Sequence, residues 1–299
     1  MANRYWVGNG GSWSDTAHWS TTSGGSGGAS LPYVGDTANF DANSFSITGQ
    51  TITIPTGFDV SNIVCSATNS PTLQLGSSAH NVFGSMDWTG MTIADPADIS
   101  KKITWQPSIA GTYNLTTGGG SMPNITVNPG AVSGITFQLQ DNCTLYSGGV
   151  FLVLTFVTTT LALNSFTLTA PYFYNGVGVT VNFGTGGITS SSLISLASGT
   201  TVSGTGTTFT VTGGTISVDS TTLSGSSSSD RLTITNNSGS TQTISNSTLS
   251  NTVLNGTNGF RLVEVIDDGG NDWGDGGGGT GNPTRLYHVK IPPTYVALP

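Results

Sequence analysis

The sequence predicts an all-β fold of the solenoid kind. Three observations carry that expectation: a composition poor in helix formers, strict two-residue alternation in many short segments, and a degenerate repeat of about 20 residues, the length of a solenoid coil. Glu occurs once, at Glu264, and β-branched residues and turn formers abound, which disfavours long helices and suits pleated strands. Only 7% of the 299 residues are charged, where about 25% is usual. Ser and Thr together make up roughly 29%, yet 9% of the chain is aromatic and 35% hydrophobic, so it can bury a core and is not composed like a disordered polymer.

Residues 1–45 form a first zone, with Trp6, Trp13 and Trp19 set among Gly, Asn and Ser. It is expected to be a loop-rich cap. Its Ser23 to Ser30 stretch reads equally as a flexible linker or as a wrapped loop. The three tryptophans could stack on sugar rings or on a partner, but filling the core of the cap is the favoured reading. His18 beside Asp15 suggests a local hydrogen bond holding the loop rather than a catalytic pair.

Residues 46–260 form the repetitive body. Its strand-like segments include Gln50 to Ile54, Thr72 to Leu75, Asn124 to Val127, Gly134 to Leu139, Thr160 to Thr169, Val179 to Phe183, Thr208 to Val211, Thr215 to Val218 and Arg231 to Ile234. Alternation buries one face of each and leaves Thr, Ser or Asn on the other. The segments are not joined as Asn-Gly hairpins, so stacked coils are expected rather than a meander; a β-sandwich or jelly roll is the alternative. The most apolar run, Val150 to Val157, is far too short to span a bilayer and reads as a buried strand. Cys65 and Cys143 would lie several coils apart, too far for a disulfide. Open solenoid ends would polymerise, which gives the first zone a capping task.

Residues 261–299 break the pattern: Arg261 to Ile266 reads as a last strand, then a Gly/Asp-rich spacer, then an apolar, Pro-bounded segment containing Tyr287 and Ile291. This is expected to be an extended arm that docks on another copy of the chain. Tyr287 and Ile291 join Trp6, Trp13 and Trp19 as partner-binding candidates. Asp267, Asp268, Asp272 and Asp275 are hard oxygen ligands of the kind calcium selects, with Asp268, Asp272 and Asp275 the candidates for a site. Their spacing fits no EF-hand or nonapeptide calcium repeat, so a turn cluster is preferred and no metal or cofactor is expected.

Asp87, Asp95 and Asp98 do not pair in sequence as glycosidase carboxylates would, and a lyase would want more than seven basic residues and three histidines. Catalysis is not expected. Without a Lys/Arg cluster beyond Lys101 and Lys102, nucleic acid is not an expected partner. The opening MANRYWVGNGG lacks the apolar stretch of a secretory signal, and membrane insertion is not expected either.

The opening YWVGNGGSWSDTAHWSTTSGGSGGASLP with DTANFDANS, and the later LQDNCTLYSGG, LALNSFTLTA, VNFGTGGI and TFTVTGGTISV, resemble repetitive β-rich structural proteins of tailed bacteriophages, a group also seen as bacterial surface proteins. The resemblance covers most of residues 5–260, and the arm after Asp267 departs from it. It implies a fibre, spike or capsid-surface role as a homotrimer attached to a major capsid or tail protein, on the virion surface after assembly in the host cytoplasm. It carries over no catalytic residue. A tail fibre or tailspike that recognises a host surface glycan, or a bacterial adhesin, is the alternative role.

Overall fold

The computed structural model describes residues 2–78, 80–98, 100–153, 159–204, 208–227, 229–269, 271–272 and 285–287. Among them the regular structure is β, apart from one 3-10 turn at Thr16–His18. The chain divides into two compact units, 1–152 and 153–299.

In the second unit each coil contributes three strands, one to each of three faces. One coil runs Val179–Asn182, Gly187–Ser190, Leu193–Leu196; the next runs Thr201–Gly204, Thr208–Val211, Thr215–Asp219. Every strand pairs in parallel with its counterpart one coil on: Val181 with Val202, Ile188 with Phe209, Ile194 with Ile216. Parallel ladders between strands three apart in sequence exclude the sandwich and jelly-roll alternatives, whose strands pair largely antiparallel. First-face strands begin at Thr159, Val179, Thr201, Thr222 and Thr248, steps of 20 to 26 residues.

Register turns the alternation into columns. Leu161, Val181, Val202, Leu223 and Leu249 align inward on the first face, each no more than 1% exposed. Thr160, Thr180, Thr201, Thr222 and Thr248 align outward on the same strands. Leu168, Ile188, Phe209, Ile234 and Leu254 form the inward column of the second face. Burying each such side chain is worth about 1.5–3 kcal/mol, so the columns supply the unit's main cohesion.

The segment Thr160 to Thr169 is not one strand. It divides into Thr159–Ala162 and Thr167–Thr169 at a corner where Asn164 adopts φ +57°, a left-handed conformation that Asn tolerates better than most residues. Asn164 O accepts a hydrogen bond from Thr185 N at 2.9 Å. One coil on, Gly184 also has φ +57°, and a Cβ there would run into the Asn164 carbonyl.

The first unit is built in the same way. Its first face orders Trp19–Ser20, Asn3–Trp6, Thr37–Phe40, Asn62–Cys65, Met86–Asp87, Gly111–Thr116 and Ile135–Leu139. A second face carries Gly11–Ser12, Thr51–Ile54, Thr72–Leu75 and Thr92–Ile93, and a third carries Asp59–Val60, His80–Val82, Lys102–Trp105 and Asn124–Val127. The first zone is therefore the terminal coil of this stack. Trp19–Ser20 lies antiparallel on Asn3–Trp6, and the Trp19 carbonyl accepts from Ala29 N at 2.9 Å. An edge satisfied by its own chain is a poor template for another molecule.

The Ser23 to Ser30 stretch is a wrapped loop, not a linker. Gly28 N donates to Thr16 O, Asn43 Nδ2 donates to Ser23 Oγ, and Arg4 donates to Ser30 Oγ. The apolar run begins as the expected strand, Val150–Val153, with Phe151 and Val153 fully buried; residues 154–158 lie outside the described set.

Gly184→Ala is expected to lower stability by about 1–2 kcal/mol or more, from left-handed strain plus the clash. Urea unfolding of the variant checks this, and an unchanged midpoint would remove the corner from the account.

Candidate binding surface

The three tryptophans of the first zone are buried together, at 0%, 4% and 0% exposure for Trp6, Trp13 and Trp19. Trp6 meets Trp19 edge-on at 5.2 Å between ring centroids, Trp13 meets Trp19 at 4.9 Å, and Trp13 stacks on Phe58 at 4.9 Å. Trp19 Nε1 donates to Trp13 O at 2.8 Å. Their ring faces are taken up by one another, by Phe40 and by Phe58, so none is left for a partner or a sugar.

His18 lies parallel to Trp6 at 4.7 Å, with its Nδ1 2.8 Å from Val7 O. Its side-chain partner is that carbonyl rather than Asp15. The Asp15 carboxylate instead caps the 3-10 turn by accepting from Ala17 N.

The acidic candidates are engaged in turns. Asp87 accepts from Thr89 N and Oγ1, and Asp98 from Ser100 N and Oγ; the Ser100 bonds hold the Asp98 carboxyl below its ordinary range. Lys101 Nζ lies 3.6 Å from Asp95 and 3.9 Å from Asp98. In the Gly/Asp-rich spacer, Asp267 Oδ1 accepts from Gly269 N and Asn271 Nδ2, and Asp272 pairs with Arg231 at 3.2 Å. Among the described residues no three His, Cys, Asp or Glu side chains gather as a metal site. Asp268 donates its N–H to Leu249 O, while Asp275 lies outside the described residues.

Tyr287 ends a strand, Arg285–Tyr287, that pairs in parallel with Phe260–Val263 of its own chain. The tail thus returns to the third face after the spacer, so this part of the expected arm docks on its own stack. Ile291 lies outside the described residues.

An open surface that sequence reasoning missed lies on the third face of the second unit. A hollow of about 390 Å³ is lined by Thr215, Ser217, Asp219, Thr241, Thr243 and Ser245 with their neighbours. It exists because a ladder opens: Ser217 pairs with Thr243 and Asp219 with Ser245, but the pairing does not extend back to Thr215. There the buried Gln242 side chain stands in for main chain. Its Oε1 accepts from Ile216 N at 2.9 Å, and its Nε2 donates to Ser238 Oγ at 2.7 Å and Gly214 O at 3.2 Å. Asp219 accepts from Ser245 Oγ at 2.6 Å and Asn246 Nδ2 at 2.7 Å, which keeps its carboxyl below the ordinary range and hence ionised. A Gln at the first position of a strand otherwise rich in Thr and Ser was the available sequence signal.

Comparison with known protein families, with curated proteins and with solved structures gives no match.

Cys65 and Cys143 are free and buried. Burial pushes the Cys65 thiol up from 9.0 to about 11 and raises that of Cys143 as well. A group that holds its proton more tightly in the fold than in the unfolded chain favours the fold fully below the unfolded pKa. That contribution is lost as pH rises from 9.0 towards 11. Stability is therefore expected to fall across this alkaline window, and a Cys65→Ala, Cys143→Ala variant to lose much of that dependence, as followed by urea unfolding at stepped pH. Trp19→Ala is expected to cost about 3–5 kcal/mol, read the same way; a loss under about 1 kcal/mol would contradict its place in the cap.

Proposed function

We propose that this chain is a non-enzymatic structural protein of a bacteriophage virion, exposed on the particle as a capsid decoration or head fibre and assembled as a homotrimer. The observation that supports this most is the coil-on-coil body: in-register parallel strands give each unit a regular frame whose outer faces are largely uncharged Thr, Ser and Asn. Such a frame suits fibre-like proteins, and the resemblance of the opening motif to phage structural proteins points the same way. Weak individual contacts to a capsid or tail lattice would gain strength from many copies acting together.

The test is a cryo-EM reconstruction of the intact particle that carries this chain, together with light scattering on the purified protein. Density as threefold multimers on the capsid and a trimeric mass are expected. Density confined to the tail tip would replace the decoration role by receptor recognition, and absence from every virion would end the phage assignment.

A further inference from the structure

We propose that the hollow on the third face of the second unit binds a neutral glycan, with a tyrosine pair on the same face as its stacking platform. The hollow is held open from within. Gln242 is 3% exposed, and its amide is spent on Ile216 N, Gly214 O, Ser238 and Ser240. It therefore sets the gap between the strands without itself being available to a ligand. A space kept open by a satisfied internal network is preorganised, which spares the ligand the cost of ordering it.

The chemistry of the lining selects the ligand class. Hydroxyl groups of Thr215, Ser217, Thr241 and Thr243 both donate and accept, as sugar hydroxyls do, while Ser245 spends its proton on Asp219. Asp219 is the sole ionisable side chain of the lining, and a carboxylate accepts strongly from sugar hydroxyls. The same charge, with no Lys or Arg in the lining, repels uronates and sialic acids. A volume of about 390 Å³ falls at the small end of ligand pockets, about 300–1,000 Å³, and suits a short stretch of sugar chain. One carboxylate supports binding; hydrolysis by the usual route needs two flanking the bond.

Register extends the site beyond the hollow. Tyr174 aligns with Ser195 and then Ser217, while Tyr172 aligns with Leu193 and then Thr215. The tyrosines are thus two coils from the hollow, about 10 Å at the usual strand spacing, within reach of a single oligosaccharide. Their half-buried rings stand face to face, with centroids 6.5 Å apart and 6° between their planes. Aromatic faces take the C–H side of a sugar ring, and half-buried Leu193 between platform and hollow continues the apolar track.

This site does not depend on where the chain is displayed, so its test is separate from particle imaging. The purified full chain is applied to a panel of immobilised linear oligosaccharides, neutral hexose and N-acetylhexosamine chains beside uronate-containing ones. Saturable binding to a neutral chain is expected. Asp219→Asn should weaken it about tenfold or more, as should Thr241→Trp, which fills the hollow from an exposed lip. Tyr172→Ala with Tyr174→Ala should weaken it by a similar factor. Melting temperature identifies any variant that fails to fold, and Thr241→Trp alters no core position. Failure to bind any neutral chain, a preference for uronates, or binding undiminished in folded Asp219→Asn and Thr241→Trp would each overturn the proposal.

Discussion

The parallel pairing of each strand with its counterpart one coil away is the constraint on which the rest of this structure depends. Strands in such a ladder stand about 4.8 Å apart, so residues in register become near neighbours along the stack. Inward columns are then largely apolar and outward columns largely polar. Leu161, Val181, Val202, Leu223 and Leu249 form an inward column, and Thr160, Thr180, Thr201, Thr222 and Thr248 an outward one. The scarcity of charge follows from the same rule, because like charges directly opposite across a ladder repel. Thr suits the outward column well: its β-branch favours the extended backbone, and its hydroxyl is solvated without repelling the next.

The corners are where the constraint is hardest to meet, since the chain must turn while its backbone groups remain paired. Buried polar side chains do this work. Asn175 donates to Thr200 Oγ1 at 2.8 Å and accepts from Ala197 N at 3.0 Å; Asn236, fully buried, donates to Ser240 O and Gly259 O. Each ties one coil to the next at a place where the ladder itself has ended. Removing such an amide would leave buried main-chain groups without partners, a cost of about 1–3 kcal/mol apiece.

Legibility in the sequence follows this division. Within strands the two-residue period is local, so Thr72–Leu75, Asn124–Val127 and Thr208–Val211 have the bounds that alternation predicts. The coil length and the absence of hairpins were enough to indicate stacking. The corner at Asn164 was hidden because the apolar pattern Leu161, Leu163, Phe166, Leu168 passes through the turn almost unbroken. Trp6, Trp13 and Trp19 were visible as a cluster, but whether they face inward depends on Phe40 and Phe58 arriving from later coils. The role of Gln242 depends on Ile216, 26 residues earlier, a relation that no local pattern encodes.

That distance leads back to the hollow. The coil step from Thr222 to Thr248 is 26 residues, against 21 for the step before it. Part of the excess enlarges the corner between the second and third faces. Between equivalent positions, five residues, 212–216, separate Val211 from Ser217 in one coil, and six, 237–242, separate Asn236 from Thr243 in the next. The longer corner brings Ser238 and Ser240 to the Gln242 amide and sets Thr241 on the rim. In a stack of equivalent coils an insertion leaves the core columns intact and emerges on the surface, which is why repeat proteins place their binding features there. The same irregularity that interrupts the ladder at Thr215 thus supplies both the prop and the polar lip, with the inward column Val218, Ile244 and Leu262 continuing beneath it.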